Sequence, residues 1–210
     1  MPRLSFVCVV HREQGHLVRL AESILDQEEV DVELVAIDDA SPDHAPALLD
    51  ELAQRDPRVR VRHLNSRVGL GEGRNLALDL VAGDYVWFVQ STGLLPAGSI
   101  AAVAQRLGET HPDVLLVHHS RADAIGKRRP GPRRGVLASV AEQGAVTADQ
   151  RPELADLARD ADNKVFRTQF VRDLGVRFGS GGHGELTVTW PALLGAGRIA
   201  ATPVESYVQR

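Results

Sequence analysis

Asp38 and Asp39 have the most chemistry to offer. Two carboxylates leave an apolar run, Val35-Ala36-Ile37, and enter the turn Ala40-Ser41-Pro42-Asp43. A carboxylate so placed can accept hydrogen bonds from a nucleobase edge or a ribose hydroxyl. The same residues also suit a plain turn, with Ser41 or Asp43 capping the helix that follows. Gly69-Leu70-Gly71-Glu72-Gly73-Arg74-Asn75 is glycine-rich where another helix begins. Its free N–H groups and Arg74 could hold an anion, or the glycines could simply make a tight turn. It is not a P-loop, because no Gly-Lys-Ser/Thr closes it, and its glycine spacing is not that of a dinucleotide fingerprint. Val10-His11-Arg12, Asn65, Gln90-Ser91-Thr92-Gly93 and His118-His119 each follow an apolar run. Glu185 precedes an apolar helical pattern. It is either a proton acceptor in a cleft or a glutamate favoured at a helix start. His118 and His119 end an apolar run and face opposite sides, so only one of them, joined by His183 and Glu185, could hold a metal, although scattered histidines are ordinarily solvated or packed.

These residues need elements to position them. Short β-branched runs at 4–10, 32–37, 59–63, 85–89 and 114–117 read as buried parallel strands. Helical patterns fill the intervals at 16–27, 45–55, 74–81 and 99–107, with Pro96 placed for a first turn of the last. Strand and helix in alternation predict an α/β layered sheet with right-handed crossovers. Ligands in such sheets bind beyond the carboxyl ends of the strands, where the residues above fall. From Arg121 to Gln150 the rhythm stops, and this stretch reads as a long mobile loop. It carries Lys127-Arg128-Arg129 and Arg133-Arg134, broken by Pro130 and Pro132, a basic run that is solvated or holds an anionic acceptor or lipid headgroups. Helical patterning returns from Glu153, with Phe166, Phe170, Val171 and Leu174 on one face, and again over 186–194. A short strand over 198–201 and a tail over 207–210 close the chain. Trp87 and Trp190 are expected in the core, and Tyr207 either stacks on a ligand or packs.

Composition narrows the classes. The 210 residues are 43% hydrophobic and 25% charged, which excludes a disordered or collagen-like chain. The net charge of −4 excludes a generally basic nucleic-acid binder. Cys8 is the single cysteine, so no intramolecular disulfide forms, and one thiol fits a reducing compartment. No apolar run approaches the roughly 20 residues of a membrane span. The expected location is cytoplasmic, with peripheral contact at the inner face of a membrane left open.

Taken together the segments resemble the family 2 inverting glycosyltransferases of the GT-A fold. Ser5 to His11 resembles the opening strand and Ser23-Ile24-Leu25-Asp26-Gln27 the end of the first helix. Val35 to Asp43 resembles the nucleotide-binding turn, and Val68 to Asn75 the next motif. Gly83-Asp84-Tyr85-Val86-Trp87-Phe88 leads into the metal-motif strand. Asn163 to Arg167 and Trp190 to Leu194 resemble the acceptor-side half. The later half resembles bacterial domains attached to cell-envelope polymer enzymes. The resemblance implies one domain over 1–210: a nucleotide-binding half over 1–120, the basic loop over 121–150 and an acceptor-side half over 151–210. The whole could be a fragment of a longer protein. It implies a nucleotide-sugar donor, UDP-type, and a carbohydrate or polyol-phosphate acceptor. Val10, His11, Asp38, Asp39, Arg74, Gln90 and Ser91 become the nucleotide-binding residues and Glu185 the catalytic base. A non-catalytic nucleotide-binding or scaffolding module is the alternative. Nucleotidyl transfer is a third class, but it wants a glycine-rich basic loop after the first strand, and His11 to Gly15 is a poor version.

The chain departs from the family's pattern. Gln90 and Thr92 stand where the Asp-x-Asp motif carries its metal-binding carboxylates. Gly184-Glu185 replaces Glu-Asp, Val9 replaces a common Pro and Arg12 a common Asn. Glu205 and Val208 replace an aromatic and an Arg, although Tyr207 and Arg210 remain. Mg²⁺ and Mn²⁺ prefer anionic oxygens, so metal binding here is doubtful. A metal acting as a Lewis acid contributes several kcal/mol, whereas a helix N-terminus offers about 0.3–1 kcal/mol. Cationic side chains would have to make up the difference, and Arg74, Lys164 and Arg167 are the candidates.

Overall fold

A computed structural model describes residues 1–27, 30–123, 125–131 and 133–209. Pro132 and Arg210, used above, lie outside the described residues. Strand β1 (Leu4–Val10) is buried along nearly its whole length, so it must lie mid-sheet with layers on both faces. It pairs in parallel with β2 (Val32–Asp38) on one side and β4 (Tyr85–Val89) on the other, and β3 (Val59–His63) extends the sheet beyond β2. Past β4 the direction changes. Strand β7 (Lys164–Arg167) inserts antiparallel between β4 and β5 (Val114–Ala122). Strand β6 (Arg128–Pro130) pairs antiparallel with the far end of β5, and β8 (Ile199–Gln209) runs parallel to β5.

Alternation along the strands splits the core in two. Leu4, Phe6, Cys8 and Val10 face α1 (Gln14–Leu25), α2 (Ala45–Arg55) and α4 (Ser99–Thr110). Val7, Val35 and Phe88 lie in the other cluster, with α3 (Leu70–Leu78), α5 (Arg134–Gln143), α6 (Thr168–Asp173) and α7 (Leu186–Gly195). This is a mixed, mainly parallel α/β sheet flanked by helices, as the alternation predicts.

The structure corrects several expectations. Residues 121–150 are not one long loop: β5 continues to Ala122, β6 pairs with it, and α5 buries Leu137 and Val140. Phe166 belongs to a strand rather than a helix, because β7 fills the gap between β4 and β5 and is buried by both. The closing strand and the tail are one 11-residue strand, with register shifts against β5 around His118. His118 and His119 therefore lie within β5 and not at its end. Helix α3 starts at Leu70, so the glycine motif is helix rather than its approach. Helix α4 begins after Gly98, a left-handed residue at φ 74°, which leaves Pro96 outside it. Trp87 is buried as expected, but Trp190 is 43% exposed on α7.

Candidate active site

Parallel strands β1 and β4 end side by side, and a cleft of about 380 Å³ opens beyond them. Its walls include His11, Asp39, Arg67, Gln90, Ser91 and Thr92. Five of these were singled out from the sequence; Arg67 was not. Val10 itself points into the core. Its carbonyl oxygen accepts the Asp39 N–H (2.9 Å) and the Ser41 hydroxyl (3.3 Å), which fixes the turn. His11 Nδ1 lies 2.9 Å from the Asp39 carbonyl oxygen. Arg12 sits at φ 63°, a left-handed conformation that Asn tolerates better, which accounts for the family's preference at that position.

The two carboxylates separate. Asp38 faces away from the cleft: its oxygens accept the Ser41 N–H (3.0 Å) and meet His63 Nδ1 (2.9 Å). Burial pushes the Asp38 carboxyl up, but the His63 and Ser41 hydrogen bonds outweigh it and hold the group below the usual range. His63 is raised in turn, chiefly by its hydrogen bond to Asp38. Asp39 lines the cleft, and its two oxygens accept the Val68 N–H (2.6 Å) and Gly69 N–H (2.9 Å). The acidic turn and the glycine motif are therefore one wall, joined through Asp39. Gly69 at φ 88° lets the backbone present both donors.

Behind Gln90 lies a residue that motif reading missed. Asp162 is 1% exposed, and one of its oxygens accepts Gln90 Nε2 at 2.6 Å while the other accepts Gln209 Nε2 at 2.7 Å. Burial, with the negative charge of Glu185 near, pushes its carboxyl up to about 6. Trp87 Nε1 donates to the Asp162 carbonyl (2.7 Å), and the Tyr207 hydroxyl accepts the Gln90 N–H (3.0 Å). Tyr207 is thus a packed support that bonds the Gln90 backbone. The only sequence signal for Asp162 was its place immediately before Asn163-Lys164, and burial alone gives that place meaning.

A divalent ion does not fit the motif positions. Gln90 contributes no charge and its amide is held by Asp162, while Thr92 is neutral. Among the described residues no group of three His, Cys, Asp or Glu side chains is placed to hold a metal, so His118, His119, His183 and Glu185 form no such set. The two strand histidines line a different cavity, with Arg134 and Glu205.

Glu185 stands at the N-cap of α7. One oxygen lies 2.7 Å from Arg74 Nη1, and the other accepts the Ala161 N–H. Arg74 is fully buried, with its guanidinium carbon 5.8 Å from the Phe88 ring centre and 5.3 Å from that of Phe178. It serves Glu185 and does not line the cleft. Gly184 has a steric reason for being glycine: a Cβ there would overlap the Gly179 carbonyl oxygen, as would one at Gly71. The loop before Glu185 is thereby pressed onto the first turn of α3. The other two candidate cations are also committed. Lys164 is buried and donates to the Leu157 and Asp160 carbonyls and to Asn163, and burial lowers it to about 8. Arg167 pairs with Asp113 (2.6 Å) beside Tyr85, at the opposite end of β4 from the cleft.

The fold and the placement of this cleft define a GT-A type glycosyltransferase domain, and comparison with known proteins gives the family. The sequence profile of glycosyl transferase family 2 matches residues 5–175, and the chain belongs to that family. It is 27% identical over 120 residues to glycosyltransferase GlyG of Streptococcus pneumoniae, covering 57% of this chain and 40% of that one. It is 24% identical to the poly(ribitol-phosphate) β-N-acetylglucosaminyltransferase TarS of Staphylococcus aureus, over 99% of this chain and 35% of the relative. A crystal structure of TarS residues 1–349 with UDP superposes at a TM-score of 0.84 and 22% identity, covering 98% of this chain and 60% of that one. The chain thus spans well under half the length of these two curated relatives. Among the described residues, no helix is long and apolar enough to cross a membrane.

Proposed function

We propose that the chain transfers a sugar from a nucleoside-diphosphate donor to a hydroxyl acceptor, with inversion, in cell-envelope polymer synthesis on the cytoplasmic side. The observation that carries this is the cleft at the ends of β1 and β4, walled by His11, Asp39, Gln90 and Ser91, with Glu185 near Asp162 behind it. The nucleotide lies against the Asp39 wall. Glu185 takes the proton of the acceptor hydroxyl. The acceptor oxygen bonds to the anomeric carbon as the bond from that carbon to the diphosphate oxygen breaks, and the nucleoside diphosphate leaves. Arg74 and the Ala161 N–H hold the carboxylate in one orientation for this step. UDP as the nucleotide and a polyol-phosphate chain as the acceptor are supported by the TarS relationship, as are carbohydrate hydroxyls by the family as a whole. Each half over 1–120 and 151–210 has its own part, donor and acceptor, although the sheet joins them through β7.

The test is release of nucleoside diphosphate from a panel of nucleotide sugars by the purified chain. Turnover that Glu185→Gln abolishes supports the reading. Binding without turnover, in wild type and variant alike, supports the scaffolding alternative instead.

A further inference from the structure

Four side chains form an unbroken hydrogen-bonded chain beneath the cleft. Arg121 Nε donates to Gln209 Oε1 at 2.9 Å, Gln209 Nε2 donates to Asp162 at 2.7 Å, and Gln90 Nε2 donates to the other Asp162 oxygen at 2.6 Å. An ionised carboxylate is acceptor-only, so Asp162 turns both amide groups inward. Both carboxamide oxygens then point away from it. That of Gln209 is taken by Arg121. Gln90 belongs to the wall of the cleft and also to that of a neighbouring cavity of about 290 Å³, which Arg121, Asp160 and Gln209 line. Arg121 is 58% exposed there, and its nearest acid is Asp160 at 3.6 Å.

This gives the missing charge a source that the sequence did not suggest. The motif positions just after β4 are neutral, and Arg74, Lys164 and Arg167 are engaged elsewhere. Arg121 is a largely exposed cation whose Nε bonds Gln209 and whose Nη2 pairs loosely with Asp160, and it borders the cavity beside Gln90. We propose that Arg121 binds the donor diphosphate in place of a divalent ion, and that Asp162 is the positioning residue that aims both Arg121 and Gln90. The proposal rests on the reading of the cleft as a nucleotide-sugar site. Guanidinium suits the task because its fork can bond two phosphate oxygens at once.

Calorimetric titration of UDP, CDP, GDP and TDP, each with Mn²⁺ and with EDTA, tests it, followed by the monophosphate of whichever nucleoside binds. The wild type is expected to bind equally well with and without metal. Arg121→Ala should weaken diphosphate binding about tenfold or more, the loss of a charge-assisted hydrogen bond, and Mn²⁺ should not restore it. Arg121→Lys should recover part of the loss. Asp162→Asn must turn one glutamine amide around. It should therefore weaken the diphosphate and spare the monophosphate, whereas general damage to the fold would weaken both. Wild-type binding that requires Mn²⁺, or that Arg121→Ala leaves unchanged, overturns this proposal alone. A wild type that binds no nucleoside diphosphate in either condition overturns the donor reading as well.

Discussion

At the scale of single residues, the site is an arrangement of carboxylates with different duties. Asp38 fastens strands, Asp39 fastens loops, Asp162 orients amides, and Glu185, held by Arg74 and the Ala161 N–H, is the proposed base. Only Glu185 is asked to move a proton, and general-base catalysis typically contributes 10²–10⁴-fold. Glu185→Gln keeps the size and an acceptor for Ala161, so steady-state turnover should fall by roughly that factor with nucleotide affinity nearly unchanged. Asp162 makes a prediction about stability. Its folded value of about 6 lies above the ordinary value of 3.8, so the native state binds more protons than the unfolded chain between these limits. Its contribution is full below about pH 4 and is lost as the pH rises through 6. Asp162→Asn removes that dependence. Relative to wild type, the variant should gain about 2 kcal/mol between pH 4.5 and 7.5, read from urea midpoints at the two pH values.

At the scale of elements, contact between α3 and the loop before α7 sets where Glu185 stands. Gly71→Ala or Gly184→Ala would drive a methyl group into the Gly179 carbonyl and shift that loop. Transfer should drop at least about tenfold, since small displacements of a catalytic group are costly. As a control, Gly108→Ala at an exposed position of α4 meets nothing within 4 Å and should raise stability by about 0.5–1 kcal/mol in thermal melts, with activity unchanged. The bounds of β1, α2, β3 and β4 were legible because each is a run of one period flanked by turn residues. Helix α5 was not: its apolar stripe is only Val136, Leu137 and Val140, set among the arginines, glycines and prolines that mark loops. Strand β7 was hidden because four residues carry no period, and Phe166 happens to fit a helical face with Phe170. Of the site, the residues that follow strands were legible because topology alone brings them together. Asp162 and Arg121 were not, since their partners depend on how the sheet's antiparallel half pairs, nor was Arg67, an exposed residue in the loop between β3 and α3.

At the scale of the whole molecule, β7 knits the sheet together. It bonds β4 on one edge and β5 on the other, and Asp162, two residues before it, reaches Gln90 on one side and Gln209 on the other. A donor bound at the cleft therefore stabilises the entire sheet. At 100 times its dissociation constant it should add about 2.7 kcal/mol, raising the melting temperature by roughly 5–10 °C in a single transition seen alike by fluorescence and circular dichroism. The most direct measurement is a crystal structure of the chain with a bound nucleoside diphosphate. The base is expected against Asp39 and the diphosphate between Gln90 and Arg121, open toward Glu185. A nucleotide seated at another surface, leaving this cleft to solvent, would contradict it.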